Sequence, residues 1–485
     1  MTSLATKCPS FFNLRRYPLA KMTCEKYEKA LDISNSIQPD WKMVGSSISI
    51  AQRRMDAFPR YLERAGITQD DLSRLNVVHV SGTKGKGSVC AFTESVLRSS
   101  GFKTGFLSSP HLIDLVERVR INGKPISQEQ FADYFLEAYN KLWSLRRDDF
   151  DMPFFIFIVN ILAFKIFLDE KVDVAVLEVG LGGTFDPTNI VKKPAVCGVT
   201  ALHFDHQCFL GDSIEEIAWN KAGIFKPGVP AFTIEQPIPG ALSELKHCAE
   251  EKGVKLQTVK MNMELEDVEL GLEGFHQKTN ASLAVSLSNG WAEQMGYGKL
   301  DRVKVIRGLQ NVRWPGRCET VKVGDNLTFY LDAAHTAESL KLCLEWFKTK
   351  LQFEHQQSVK KVLVCTFTGE RNDENFLRIF NNEVSFDHVI LTTPILDSDN
   401  SFRHKDARTV VSMHIDRCHR NMAIWKEMNN RSDVSVEEHI DGALSSLRNI
   451  SDNANICVLV TGSLYLVGGV LKLLEDLTDS KQQCK

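Results

Sequence analysis

HVSGTKGKGSVCAF, residues 79–92, sets a β-branched run against a glycine-rich turn that carries a lysine and a serine. Val77, Val78 and Val80 have the bulk of a buried strand, Gly82, Gly85 and Gly87 free the backbone to curl, and Ser88-Val-Cys-Ala-Phe opens a helical pattern. That order predicts a phosphate-binding loop. Unpaired N–H groups at a helix N-terminus, and a flexible nest before it, meet phosphate oxygens. Lys86 neutralises charge there, and Ser88 is placed to reach a metal. The general loop reads G-x-x-x-x-G-K-[ST]. Here only Thr83 and Lys84 separate Gly82 from Gly85, and Gly87 stands between Lys86 and Ser88, so the loop is a variant. The alternative is a strand-to-helix turn with no ligand.

Outward from this loop the pattern alternates strand and helix. NVVHVSG, KTGFLSS, VDVAVLEVG and PAVCGVT read as strands, with helices after Ser88, around Phe131 to Trp143 and over Phe154 to Phe167. This is the signature of a largely parallel, buried sheet covered by helices. A second series follows WPGR: LTFYLDAAH, an amphipathic helix over Ala337 to Leu351, KVLVCTFTG, a helix over Asp373 to Phe380, FDHVILTTP, and ICVLVTGS with a closing helix. Residues 395–455 read as polar and irregular. Ligands of such sheets bind outside the carboxyl ends of the strands.

Composition bounds the chemistry. The chain has 485 residues, 43% hydrophobic and 25% charged, as in ordinary globular proteins with room for two domains. A net charge of −3 gives no basic field for nucleic acid, and a small-molecule substrate fits better. The twelve cysteines contain no CxxC pair, which argues for reduced, buried thiols and against a zinc site. The run Phe154 to Leu168 is interrupted by Asn160 and Lys165 and is too short to span a bilayer, so it predicts a core helix and no integral membrane segment. Before Glu25 stand Lys7, Arg15, Arg16 and Lys21 with no acidic residue, alongside Phe11-Phe12. That is transit-peptide composition, with a frayed basic terminus as the alternative. Met22 offers a second start that would leave its product in the cytosol.

The loop form GTKGKGS occurs in the Mur ligase family, and the flanking motifs narrow the likeness. They are SSPHL (108–112), ERVRINGKPIS (117–127), LEVGLGGTFDPTN (177–189), FDHQCFLGDSIEEIAWNKAGIFK (204–226), HQKTNA (276–281), WPGR (314–317), LDAAHT (331–336) and VTGSLYLVGGVLKLLE (460–475). In this order, from about residue 25 onward, the chain resembles the eukaryotic folylpolyglutamate synthases of the Mur ligase family. The resemblance implies an α/β fold of two domains, after a mitochondrial transit segment over 1–24. Residues 25–312 would form a larger P-loop-type, mostly parallel sheet domain that binds ATP, and 313–485 a smaller Rossmann-like C-terminal domain. It also implies a monomer found in the mitochondrion, in the matrix or against the inner membrane, and in the cytoplasm.

The implied activity adds L-glutamate to the γ-carboxylate of a reduced folate, with ATP and one or two Mg²⁺ ions; a monovalent cation belongs to the same expectation. Carried over residue by residue, Gly85, Lys86, Gly87, Ser88, His276, Asn280, Arg317 and Asp332 would contact ATP. Ser109, Glu178, His206 and a carbamylated Lys221 would hold metal, with Lys86 and Lys221 also catalytic. His335 and Ser463 would receive glutamate, and Ser108, His111 and Arg118 would lie near the folate. Closing the two domains would complete the site and exclude water.

Alone, these residues have other readings. Glu178 could cap a strand end, His206 could be a surface or core histidine, Ser109 a turn residue, Lys221 an exposed lysine and Arg317 a surface ion pair. Phe275, His203, Pro187 and Thr366 depart from the family pattern. Rival functions are a bifunctional enzyme that also joins glutamate to dihydropteroate, and a nucleotide-binding regulatory protein without turnover.

Overall fold

The computed structural model describes residues 24–38, 48–148, 151–354, 359–369, 371–396, 411–429, 431–450 and 455–483. The expected transit segment up to residue 23, with Met22, lies outside them. The chain forms two compact units. Among the described residues, one holds those up to 271 together with 275–314; the other holds 272–274 and 315 onward.

The larger unit is built on strands β1 (Val78–Ser81), β2 (Thr104–Leu107), β3 (Val119–Ile121), β4 (Lys124–Pro125), β5 (Val174–Glu178), β6 (Val196–Val199), β7 (Ala231–Ile234) and β8 (Leu256–Val259). Their order is β4-β3-β2-β5-β1-β6-β7-β8. β2 through β8 run parallel in that order, and β3 and β4 add an antiparallel edge. β1 lies between β5 and β6, with Val80 opposite Glu178 and Ser81 opposite Val199. The loops after these three strands therefore leave the sheet at one edge.

Helices cover the sheet because its central strands β1, β2, β5, β6 and β7 are buried at every position. The helix Phe155–Asp169 is the apolar run of the sequence; Ile158, Ala163, Phe164 and Phe167 are fully buried. Phe58 meets Phe157 edge to face at 4.9 Å. Among the described residues no helix is long and apolar enough to cross a membrane.

The smaller unit has strands β9 (Glu319–Val323), β10 (Leu327–Leu331), β11 (Lys360–Cys365), β12 (His388–Thr392), β13 (Asp433–Glu437) and β14 (Ile456–Thr461), ordered β13-β12-β11-β14-β10-β9. All pairs are parallel except the β9–β10 hairpin. Glu273 seats the segment 272–274 here, accepting hydrogen bonds from Trp346 Nε1 and Lys350 Nζ, each at 2.8 Å.

The structure corrects the irregular reading of 395–455. Its described part contains the helix Val411–Met428, strand β13 and the helix Ile440–Ser446. The inward face of Val411–Met428 is His414, Cys418, Asn421 and Trp425, all buried. Helical spacing is present, but two of these four positions, His414 and Asn421, are polar, so the apolar periodicity is masked.

Phe164→Ala should lower the stability of the larger unit by about 3–5 kcal/mol in urea unfolding, because its neighbours cannot collapse into the space. Met263→Ala, at a side chain 64% exposed, should change it by no more than about 0.5 kcal/mol.

Candidate active site

β1 delivers the phosphate loop. Gly82 has φ +146°, and a Cβ there would stand 1.8 Å from Thr200 Oγ1, so no side chain fits. Gly85 is left-handed (φ +88°) and no side chain caps the helix Lys86–Ser99 that follows. The helix thus begins at Lys86, earlier than the pattern from Ser88 suggested, and its first-turn amides form an anion-binding end. Ser88 is buried. Asn280 sits on the helix His276–Gln294 and presents Oδ1 2.6 Å from where a Gly85 Cβ would be, while its Nδ2 donates to Gln277 Oε1 at 2.9 Å. His276 opens that helix. Trp314 brings Nε1 within 3.0 Å of a Cβ built on Gly87.

Glu178 closes β5 and is buried, accepting the Ser109 N–H at 3.2 Å. The glycine turn after it is held by Asp186, whose Oδ2 accepts the Gly180 and Leu181 N–H groups at 2.9 and 3.1 Å. Asp186 Oδ1 accepts the N–H and hydroxyl of Thr188, and Thr188 Oγ1 lies 2.8 Å from His79 Nε2. Burial pushes the His79 imidazole down to about 3. A neutral ring donates Nε2–H to Thr188, which donates onward to Asp186. Burial raises the Asp186 carboxyl, and these hydrogen bonds oppose the rise.

Ser108, Ser109, Arg118, Asn160, Glu178 and Asp186 line a small recess. Arg118 Nε donates to His111 Nδ1 at 2.9 Å, and the Ser108 N–H donates to the Arg118 carbonyl at 2.9 Å, so the three residues expected near folate form one cluster. The sequence reading missed Asp186, Thr188 and His79 as site residues. The signal was there, since Asp186 and Thr188 lie within the LEVGLGGTFDPTN motif and His79 precedes the loop itself.

The segment after β6 is stitched to the phosphate loop. The Thr83 and Lys84 N–H groups both donate to the Ala201 carbonyl at 3.0 Å, and Thr83 Oγ1 donates to the His203 carbonyl at 3.2 Å. His206 is left-handed (φ +54°). Desolvation lowers its pKa; Asp205 opposes this, while Lys86, Lys221 and Lys84 reinforce it. Lys221 is 3% exposed, which overturns its reading as a surface lysine. It ends the helix Ile214–Lys221, whose start is fixed by the Ser213–Glu216 capping box. Nζ donates to the Gly82 carbonyl at 2.8 Å, and burial, then the Lys86 charge, holds its pKa well below the ordinary value.

Among the described residues no three His, Cys, Asp or Glu side chains cluster as a metal cage. The donor set here is instead a serine hydroxyl, a carboxylate and an imidazole beside a phosphate loop. That suits Mg²⁺, which keeps waters and shares its shell with substrate phosphates.

In the smaller unit, Asp332 follows β10 and accepts the Cys318 N–H at 2.8 Å and the Cys318 thiol at 3.4 Å. His335 Nδ1 lies 2.8 Å from the Ala333 carbonyl, and the Arg371 guanidinium donates to the His335 carbonyl. Ser463 follows β14, is 1% exposed, and its Oγ has no partner among the described residues. The Gly462 N–H donates to the Ala334 carbonyl at 3.0 Å, so the ends of these adjacent strands hold Asp332, His335 and Ser463 together. Arg317 lies just before β9, with Nη1 donating to the Gly316 carbonyl at 3.0 Å.

A phosphate loop at the centre of a parallel sheet, in one chain with a second α/β unit that gathers polar residues at its own strand ends, defines a nucleotide-binding protein of two α/β units. Comparison with known proteins gives the family. Residues 318–473 match a profile described as "Dihydrofolate synthetase, C-terminal domain". The mitochondrial folylpolyglutamate synthase of Cricetulus griseus is 36% identical, with 95% of this chain and 94% of that protein covered. The human mitochondrial enzyme is 35% identical, with 97% and 96% covered. Among solved structures, the Thermotoga maritima folylpolyglutamate synthase matches with TM-score 0.70 at 27% identity, covering 93% of this chain and 96% of that one. The Mycobacterium tuberculosis enzyme complexed with ADP shares the fold, with TM-score 0.73 at 23% identity, covering 92% and 98%. The chain belongs to the folylpolyglutamate synthase family.

Buried His79 makes the fold acid-sensitive in a defined window. Below the ordinary imidazole value near 6.5 the unfolded chain takes up a proton that folded His79 refuses until about 3. Stability is therefore lost as pH falls through that window, by at most about 1.4 kcal/mol per pH unit. His79→Gln, which keeps a donor toward Thr188, should show a shallower loss than the wild type in urea midpoints measured between pH 6.5 and 5.

Proposed function

We propose that this chain uses ATP to join L-glutamate to the γ-carboxylate of a reduced folate. A carboxylate resists a nucleophile through its resonance and charge, so it must first be activated. The folate carboxylate oxygen attacks the ATP γ-phosphorus and ADP leaves. The glutamate amine then attacks the acyl phosphate carbon, losing a proton, and phosphate leaves. The observation that carries this reading is the convergence of Lys86, Glu178, His206 and Lys221 around one phosphate loop in a member of this family. A mere nucleotide binder has no need of the last two.

Lys86 and the first-turn amides, with Gly85, Gly87 and Ser88, hold the phosphates and stabilise charge on the group in transfer. Ser109, Glu178 and His206 are the proposed magnesium ligands; the ion would supply Lewis-acid stabilisation of the phosphoryl oxygens. Burial lowers the pKa of Lys221, which favours the uncharged form in which an amine reacts with CO₂, and as a carbamate it would offer an anionic oxygen to a second magnesium. His276, Asn280, Arg317 and Asp332 are assigned to ATP. Asp332, steadied by Cys318, accepts hydrogen bonds from ribose hydroxyls, and the fork of Arg317 suits phosphate. His335 and Ser463 receive glutamate, and the cluster Ser108, His111 and Arg118 adjoins the folate.

A second reading, in which the chain also joins glutamate to dihydropteroate, is favoured by the profile matched over 318–473. Turnover of dihydropteroate with ATP and glutamate separates the two. The related enzymes named mitochondrial and the basic stretch before Glu25 support import into mitochondria, and Met22 as a start would supply a cytosolic form.

Lys86→Ala and Glu178→Ala should each lower kcat by about 10²–10³-fold or more with unchanged circular dichroism. Near-normal turnover at saturating ATP would remove both assignments. Lys221→Ala should be inactive and partly rescued by added acetate or formate, whereas full activity in CO₂-free buffer with an unmodified mass would exclude the carbamate. Deleting residues 1–21 should leave catalysis intact and move the protein to the cytosol, as read by fractionation.

A further inference from the structure

GTKGKGS carries a lysine for which the proposed chemistry has no use. Lys84 Nζ bonds Asp205 Oδ2 at 2.9 Å, and the two side chains are only 20% and 16% exposed. Lys86 makes no ion pair among the described residues, so the lysines of the loop are not equivalent. The backbone of Thr83 and Lys84 is tied to the Ala201 carbonyl, and the Thr83 hydroxyl to that of His203. On the other side of the pair, Asp205 Oδ1 accepts the His206 N–H at 3.0 Å. His206 holds φ +54°, a left-handed conformation that is uncommon for residues other than glycine.

We infer that Lys84 is a positioning residue and not a phosphate ligand: its ion pair with Asp205 ties residues 201–206 to the phosphate loop, so that nucleotide bound at the loop fixes the pose of His206. Breaking a largely buried pair leaves the remaining charge uncompensated, so either partner alone is worth the whole coupling. The inference rests on nucleotide binding at this loop, as proposed above.

The experiment is hydrogen exchange over residues 200–210 with and without ADP, together with ADP affinity by calorimetry. It compares the wild-type chain with Lys84→Met, Lys84→Arg, Asp205→Asn and the Lys84→Met/Asp205→Asn double variant. ADP should slow exchange in the wild type by about tenfold. That protection should vanish in Lys84→Met and in Asp205→Asn, fall no further in the double variant, and return in Lys84→Arg. ADP affinity of Lys84→Met should stay within about threefold of wild type. Protection that survives Lys84→Met, or is absent from the wild type, overturns the coupling. A loss of ADP affinity beyond about tenfold in Lys84→Met while Asp205→Asn binds normally makes Lys84 a phosphate ligand and overturns it as well. Wild-type ADP affinity in Lys86→Ala would instead sink the nucleotide reading, leaving the exchange comparison to judge Lys84 on its own.

Discussion

The close approach of the phosphate loop to the segment after β6 is the constraint from which the rest of the larger unit's site follows. Gly82 can pass Thr200 only because it has no Cβ. Once that contact is made, Thr83 and Lys84 reach the Ala201 carbonyl and the Gly82 carbonyl faces Lys221 Nζ. The strand order β5-β1-β6 then supplies the remaining parts without further adjustment. Glu178 comes from one neighbour of β1 and the His206 segment from the other, both at the edge where the loop emerges.

Electrostatics sorts the charges so gathered. Several cations within one edge of a sheet would repel, and burial would make the repulsion costly. Lys84 is neutralised by Asp205, Lys221 is driven towards its uncharged form, and Lys86, at the start of the helix, makes no ion pair among the described residues. On the other side of the loop the same economy holds for acids. Asp186 is buried but wrapped by backbone amides and by the Thr188 hydroxyl, whose polarity is set by a histidine that burial keeps neutral. The buried Asp186 carboxyl thus has defined partners, and the geometry of the turn after Glu178 depends on that pairing.

Much of this was legible in the sequence, because strands buried on both faces are written as continuous β-branched runs. NVVHVSG and VDVAVLEVG announce β1 and β5, and glycine marks the turns after them. The loop was readable for the same reason, although its helix starts at Lys86, since residues that bind phosphate through backbone make poor markers of where the helix begins. Three things were hidden. The helix Val411–Met428 buries histidine, cysteine and asparagine, so apolar periodicity fails to show it. Lys221 looks like a surface lysine because desolvation is a property of the packed fold and not of the residue type. His79 lies within a strand run and is seen to matter only when Thr188, distant in sequence, folds against its ring.

The positions at which this chain departs from its family's pattern follow the same logic, for most of them act through backbone. Pro187 occupies the first turn after Asp186, whose side chain caps that turn, and there a proline's fixed φ and missing N–H are no handicap. His203 contributes its carbonyl to the Thr83 hydroxyl, a bond that glycine would make equally well. Thr366 is buried with its carbonyl 2.4 Å from where a Gly462 Cβ would stand, so the demand for a missing side chain falls on Gly462 and not on Thr366. Phe275 is 76% exposed at the entrance to the helix His276–Gln294, and a side chain so open is free to vary. By contrast Lys86, Glu178, His206 and Lys221, which match the pattern, are proposed to act through side-chain atoms, where a change of residue type would remove the acting group itself.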